Sequence, residues 1–190
     1  MRRDCGRCMD VSNMHNSNSI LFIGDSLTEW FDLDKYFPGI HIVNEGIAGD
    51  TSYGLLERID EIMSIPAAMI FMMIGINDIL NGYLKNDIIE NHQLLLEDMR
   101  TQSTRSEIIA QSLLPVNLSM SGLPGSLNNM ISEINEALRA YCEDCRVQYL
   151  NLYPSFLLNN ELNSNYTSDG VHLSEAGYSL WAEKLKPVLT

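Results

Sequence analysis

A chain of 190 residues, 45% hydrophobic and 19% charged, is long enough to bury the core of one ordinary domain, and its composition excludes a disordered polymer. The 25 acids against 12 Lys and Arg leave a formal net charge of -13, a surface that repels phosphate backbones and anionic headgroups, so neither nucleic acid nor a membrane surface is an expected partner. No apolar run approaches the ~20 residues of a membrane-spanning helix, and Met1-Arg2-Arg3-Asp4-Cys5 has no hydrophobic segment behind it, so no secretory signal is read and a cytoplasmic protein is expected.

Residues 1–18 are polar and aperiodic and read as a mobile lead-in carrying His15; residues 19–190 read as a single domain. An unbroken apolar strand over residues 19–24 ends in Gly24-Asp25-Ser26-Leu27, a tight turn that leaves Ser26 at the carboxyl end of the strand. Residues 27–38 follow as a short helix and loop with Trp30, Phe31, Tyr36 and Phe37. Trp30 either joins the core or lines a pocket. A short second strand, residues 41–44, runs into Glu45-Gly46-Ile47-Ala48-Gly49-Asp50-Thr51, whose glycines permit positive φ or close backbone approach. Asp50 or Thr51 then caps a helix with Leu55, Leu56, Ile59, Ile62 and Met63 on one stripe.

The third strand, residues 67–74, is nearly all apolar and therefore central, with Met69, Met72 and Met73 as core filler. It ends in a polar turn, Gly75-Ile76-Asn77-Asp78, before a helix over residues 86–99 that carries His92 on its inward face as a structural histidine. Residues 107–112 form the fourth strand, followed by the loop Leu113-Leu114-Pro115-Val116. A clear helical stripe then runs from Leu127 to Tyr141, residues 147–152 form strand five, and Thr167-Ser168-Asp169-Gly170-Val171-His172 precedes a last helix started by Ser174. Alternation of strands and helices without an internal repeat predicts one five-stranded parallel sheet covered on both faces. Every strand-to-helix loop in such a sheet opens at one edge, which gathers Ser26, Gly49, Asn77, Asp169 and His172.

Those residue types make a recognisable chemistry. The short Asp169-to-His172 spacing lets a carboxylate orient one ring nitrogen while the other faces a hydroxyl, the logic of a Ser-His-Asp triad. The backbone N–H groups of Ser26 and Gly49 and the Asn77 side-chain amide are candidate donors to a developing oxyanion. Asp25, beside Ser26, reads as the holder of the turn. The two Cys-x-x-Cys pairs, Cys5/Cys8 and Cys142/Cys145, have spacing used by structural zinc and by redox dithiols, and inert thiols are expected instead.

Gly24-Asp25-Ser26-Leu27, Gly49 within its loop, Gly75-Ile76-Asn77-Asp78 and Asp169-Gly170-Val171-His172, in that order, resemble the four blocks of the SGNH (GDSL) hydrolases, and the resemblance spans residues 19–190. It is strongest to the compact branch that includes platelet-activating-factor acetylhydrolase catalytic subunits and lysophospholipase-like esterases. The resemblance implies a three-layer α/β/α flavodoxin-like fold and ester hydrolysis without a metal or other cofactor. It also implies Ser26 as nucleophile, His172 as general base, Asp169 as its orienter, and Ser26, Gly49 and Asn77 as the oxyanion hole. A small-molecule ester with a short acyl group on a sugar, lysophospholipid or other small alcohol is the expected substrate, with Trp30, Leu114 and Val116 on the pocket wall. A non-catalytic or phosphate/nucleotide-binding flavodoxin-like module is the alternative. Against it, the loop after strand one lacks a Gly-x-Gly-x-x-Gly pattern and a lysine.

Overall fold

The computed structural model describes residues 19–189, so Cys5, Cys8, His15 and the expected lead-in lie outside the described residues. Strand β1 (Ile20–Gly24) leads into the single-turn helices α1 (Ser26–Glu29) and α2 (Leu33–Tyr36), then β2 (Ile42–Gly46) and α3 (Ser52–Met63). Strand β3 (Met69–Met73), α4 (Ile76–Leu80) and α5 (Lys85–Gln102) follow, then β4 (Glu107–Gln111), α6 (Leu118–Ser121) and α7 (Leu127–Cys145). Strand β5 (Gln148–Leu150) and α8 (Tyr153–Phe156) precede a hairpin of β6 (Leu157–Leu158) and β7 (Glu161–Leu162), and α9 (Glu175–Leu185) ends the fold.

The five long-range strands are all parallel, in the order β2-β1-β3-β4-β5. The chain moves outward from β1 to β2 and then returns past β1 to β3, so its direction reverses between β1 and β3. In sheets of this order the crevice at the carboxyl ends of those two strands is where ligands bind. Ser26 follows β1 and Asn77 follows β3.

Along β1 the side chains alternate between two buried clusters, as the period of two requires. Phe22 faces one layer, where it stacks on its register partner Phe71 with ring centroids 4.7 Å apart. Phe31, Ile109 and the wholly buried Trp181 of α9 complete that cluster. Leu21 and Ile23 face the other, against Leu55 and Ile59 of α3 and Leu95 and Met99 of α5. The result is the three-layer α/β/α arrangement.

Several local expectations shift. The polar turn at 75–78 is instead the start of α4, because Gly75 (φ 132°) turns the chain abruptly enough for a helix to begin at Ile76. The hairpin β6–β7 escapes sequence reading because two-residue strands have no period to detect. Leu114 and Val116, expected on a pocket wall, are 4% and 1% exposed and belong to the core. The cause lies in α7: the amide of Asn135 pairs with both backbone groups of Leu113, at 2.8 and 3.0 Å, and that of Asn128 with both of Val116, at 2.8 and 2.9 Å. Two asparagines thus serve the loop as a substitute neighbouring strand and turn its apolar side chains inward.

Cys142 and Cys145, at the end of α7, form no disulfide among the described residues. Cys142 is buried, and that burial, reinforced by Cys145, pushes its thiol up to about 12, so the thiolate that a metal or a redox exchange needs is strongly disfavoured there. His92 is also buried; its Nε2 lies 2.8 Å from the Ile74 carbonyl, which can only accept, so Nε2 carries the proton. Burial lowers its pKa, and the ring holds the end of β3 as a structural histidine.

Candidate active site

Ser26 owes its position to the two residues before it. A Cβ at Gly24 would stand 2.3 Å from the Met73 carbonyl and 2.4 Å from Thr28 Oγ1, so only glycine lets β1 pass directly into a turn against β3. Asp25 is the N-cap of α1: its Oδ1 accepts from the Leu27 N–H at 3.0 Å. Ser26 therefore occupies the first helical position, where its own N–H has no intrahelical acceptor. Asp25 is fully buried, and its Oδ2 has no hydrogen-bond partner among the described residues. Burial, with the negative charges of Asp50 and Asp78, pushes its carboxyl up to about 7 against the pull of the Leu27 N–H. The acid beside the serine thus holds the turn.

His172 arrives from the loop before α9. Asp169 Oδ1 accepts from the backbone N–H groups of Val171 (2.9 Å) and His172 (2.7 Å), while its Oδ2 lies 2.7 Å from His172 Nδ1. One carboxylate shapes the loop and grips the ring. Partial burial raises its pKa, but the bonds from the His172 ring and from the two backbone N–H groups outweigh that, and the carboxyl sits below its ordinary value. An ionised carboxylate can only accept, so in the neutral imidazole Nδ1 carries the proton and Nε2 presents a lone pair. That lone pair points at Ser26 Oγ, 3.1 Å away. The loop is fixed from below, since Thr167 Oγ1 donates to the His172 carbonyl at 2.7 Å and the Asn117 N–H donates to the Gly170 carbonyl at 2.7 Å. Such an arrangement can carry a hydroxyl proton to the imidazole while the hydroxyl oxygen attacks.

The loops after β2 and β3 are stitched together. Gly49 sits at φ 80°, a backbone setting that side chains resist, and its N–H makes no hydrogen bond among the described residues. Asn77 Nδ2 donates to the Asp50 carbonyl at 2.8 Å, which spends one of its two N–H bonds and leaves the other. Asp50 in turn meets Arg58 at 2.7 Å. The next residues repeat the pattern: Asp78 accepts from the Ser52 N–H and hydroxyl, and Asn91 Nδ2 donates to Ser52 Oγ at 2.9 Å. No local motif marks Arg58, Ser52 or Asn91: Arg58 meets an acid eight residues earlier, across the start of α3, and Ser52 and Asn91 meet partners 26 and 39 residues away.

Trp30, for which a core position was the competing expectation, is 52% exposed. Its indole lies against the His172 ring, with centroids 4.4 Å apart. A cleft of about 400 Å³ lined by Arg100, Ser106, Glu107 and Arg146 lies at the opposite edge of the sheet, where the strands begin, and has no part in this site.

The profile of the GDSL-like Lipase/Acylhydrolase family matches residues 22–180. The chain belongs to this family. Platelet-activating factor acetylhydrolase IB subunit alpha1 of Bos taurus is 25% identical over 171 residues, which are 84% of this chain and 70% of that protein. N-acylneuraminate cytidylyltransferase of Streptococcus agalactiae serotype III (strain NEM316) is 25% identical over 177 residues, 88% of this chain. The chain spans only 40% of that protein's length. A solved structure from Streptococcus pneumonia, described as a platelet activating factor, superposes with a TM-score of 0.84 at 30% identity, covering 94% of this chain and 86% of the other. No helix among the described residues is long and apolar enough to cross a membrane.

Proposed function

We propose that this GDSL family member is a serine esterase that cleaves short-acyl carboxylic esters through an acyl-enzyme, and that residues 19–190 are its catalytic domain. The observation that carries the reading is the continuous line from Asp169 Oδ2 to His172 Nδ1 (2.7 Å) and from His172 Nε2 to Ser26 Oγ (3.1 Å). In the proposed first step Ser26 Oγ attacks the ester carbonyl and His172 Nε2 takes its proton. The oxyanion is held by the N–H groups of Ser26 and Gly49 and by the free N–H of the Asn77 amide. His172 then returns the proton to the departing alcohol. Water attacks the acyl-Ser26 by the same route in reverse, and the carboxylic acid leaves.

Two features support a short acyl group. The loop at 113–116 is packed into the core rather than opened as an apolar channel, and one relative is by name an acetylhydrolase. Trp30, exposed and lying against the His172 ring, offers an aromatic face beside the site of the kind that suits the apolar face of a sugar or a similar small alcohol. A panel of p-nitrophenyl acetate, butyrate and palmitate with acetylated sugars tests this. Acetyl or butyryl esters are expected to turn over faster than palmitoyl; a palmitoyl preference would reject the short-acyl assignment.

A further inference from the structure

The helix that begins at Ser26 is followed by Trp30 as its C-cap, whose N–H donates to the Ser26 carbonyl at 3.0 Å. Residues four apart on a helix share a face, so the indole stands one turn above the serine. The chain's other tryptophan, Trp181, is completely buried, whereas Trp30 leaves half of its surface in water. Its ring contact is with His172, at 4.4 Å between centroids and a 34° tilt.

The geometry of the base leaves work for that contact. The two hydrogen bonds of the imidazole, to Asp169 and to Ser26, leave the ring from its two nitrogens in nearly opposite directions. They fix a line through the ring and resist rocking about that line only weakly. The loop that carries His172 is at the surface, and its side chain keeps 29% of its exposure. A flat aromatic face against one side of the imidazole removes the remaining freedom. The same face has a second consequence once the proton moves. A neutral imidazole gains little from a ring quadrupole, but an imidazolium within roughly 6 Å of an indole centroid is attracted to it. The attraction therefore grows as the transition state forms, which is the condition for raising kcat rather than lowering KM.

We propose that Trp30 is a positioning residue for the general base: it sets the tilt of the His172 ring and its π face favours the imidazolium. The inference rests on the reading of Ser26, His172 and Asp169 as the triad. Trp30 is exposed, so its replacement leaves the fold intact, and thermal unfolding of each variant checks this. With p-nitrophenyl acetate, Trp30→Leu is expected to lose about three- to thirtyfold in kcat with KM little changed, and Trp30→Phe to recover most of the loss. Inactivation by a small dialkyl fluorophosphate, which reports Ser26 attack without an alcohol pocket, should slow in parallel. The His172 ring protons should resonate upfield in the wild type and move downfield in Trp30→Leu. An unchanged kcat in Trp30→Leu, or a loss confined to KM, would overturn the assignment and make Trp30 a substrate platform only. Ser26→Ala measured alongside separates the two levels: undiminished turnover there removes the triad itself, and the role of Trp30 with it.

Discussion

Asp169→Asn would keep the shape of the loop cap while exchanging one carboxylate oxygen for a donor. His172 would then be offered the wrong tautomer, and kcat is expected to fall by about 10²–10⁴, with KM nearly unchanged, in steady-state assays on p-nitrophenyl acetate. Asn77→Ala removes one proposed oxyanion donor, for which a loss of about 10²–10³ in kcat is expected. It also frees the Asp50 carbonyl, so a stability cost of about 1 kcal/mol in a denaturant titration should accompany it. At this scale the sequence is most legible where chemistry and local spacing coincide. Asp169 and His172 lie three residues apart and bond within their own loop, so a motif can disclose them. Trp30 touches a residue 142 positions away, and nothing in its neighbourhood distinguishes that contact from core packing.

The element that presents Ser26 makes a pH-dependent contribution through its buried cap. Folded Asp25 keeps its proton up to about pH 7, while its unfolded carboxyl releases it near the ordinary value of 3.8. Between those values the folded state binds more protons, so stability attributable to this group falls as pH rises through the window. The slope is at most about 1.4 kcal/mol per pH unit. Asp25→Asn retains an oxygen to accept from the Leu27 N–H and removes the titration. Its urea midpoint, compared with wild type from pH 4 to pH 7, is expected to gain on the wild type steadily with pH; parallel curves would refute the assignment. The strands β1 and β3 were plain in the sequence because burial on both faces demands unbroken apolar runs. Element ends were less plain: β2 continues to Gly46, past the residue 44 where its apolar character stops, because main-chain pairing with β1 goes on after the side chains turn polar. The inward turn of Leu114 and Val116 depends on Asn128 and Asn135 of α7, a partnership with no local signal.

On the scale of the whole molecule, the fold supplies a rigid frame and leaves the chemistry to loops at one edge. The reversal of direction between β1 and β3 opens the crevice, and α/β alternation is the reason five candidate residues are expected at that edge. The frame should be costly to disturb. Phe71→Ala, which deletes the partner of Phe22 at the centre of the sheet, is expected to destabilise by about 3–5 kcal/mol in urea denaturation, while activity per folded molecule changes little. The N-terminal cysteine pair lies outside the described residues, and the Cys142 thiol is held protonated by the core that surrounds it.

The central claim is that an acyl group passes through Ser26, and it can be observed directly. Intact-mass and peptide analysis of the protein quenched early in turnover of p-nitrophenyl acetate is the decisive measurement. One acetyl group on the peptide containing Ser26, absent together with turnover in Ser26→Ala, is the predicted result. Undiminished turnover by Ser26→Ala, or an acetyl group that maps to another residue, would contradict the account.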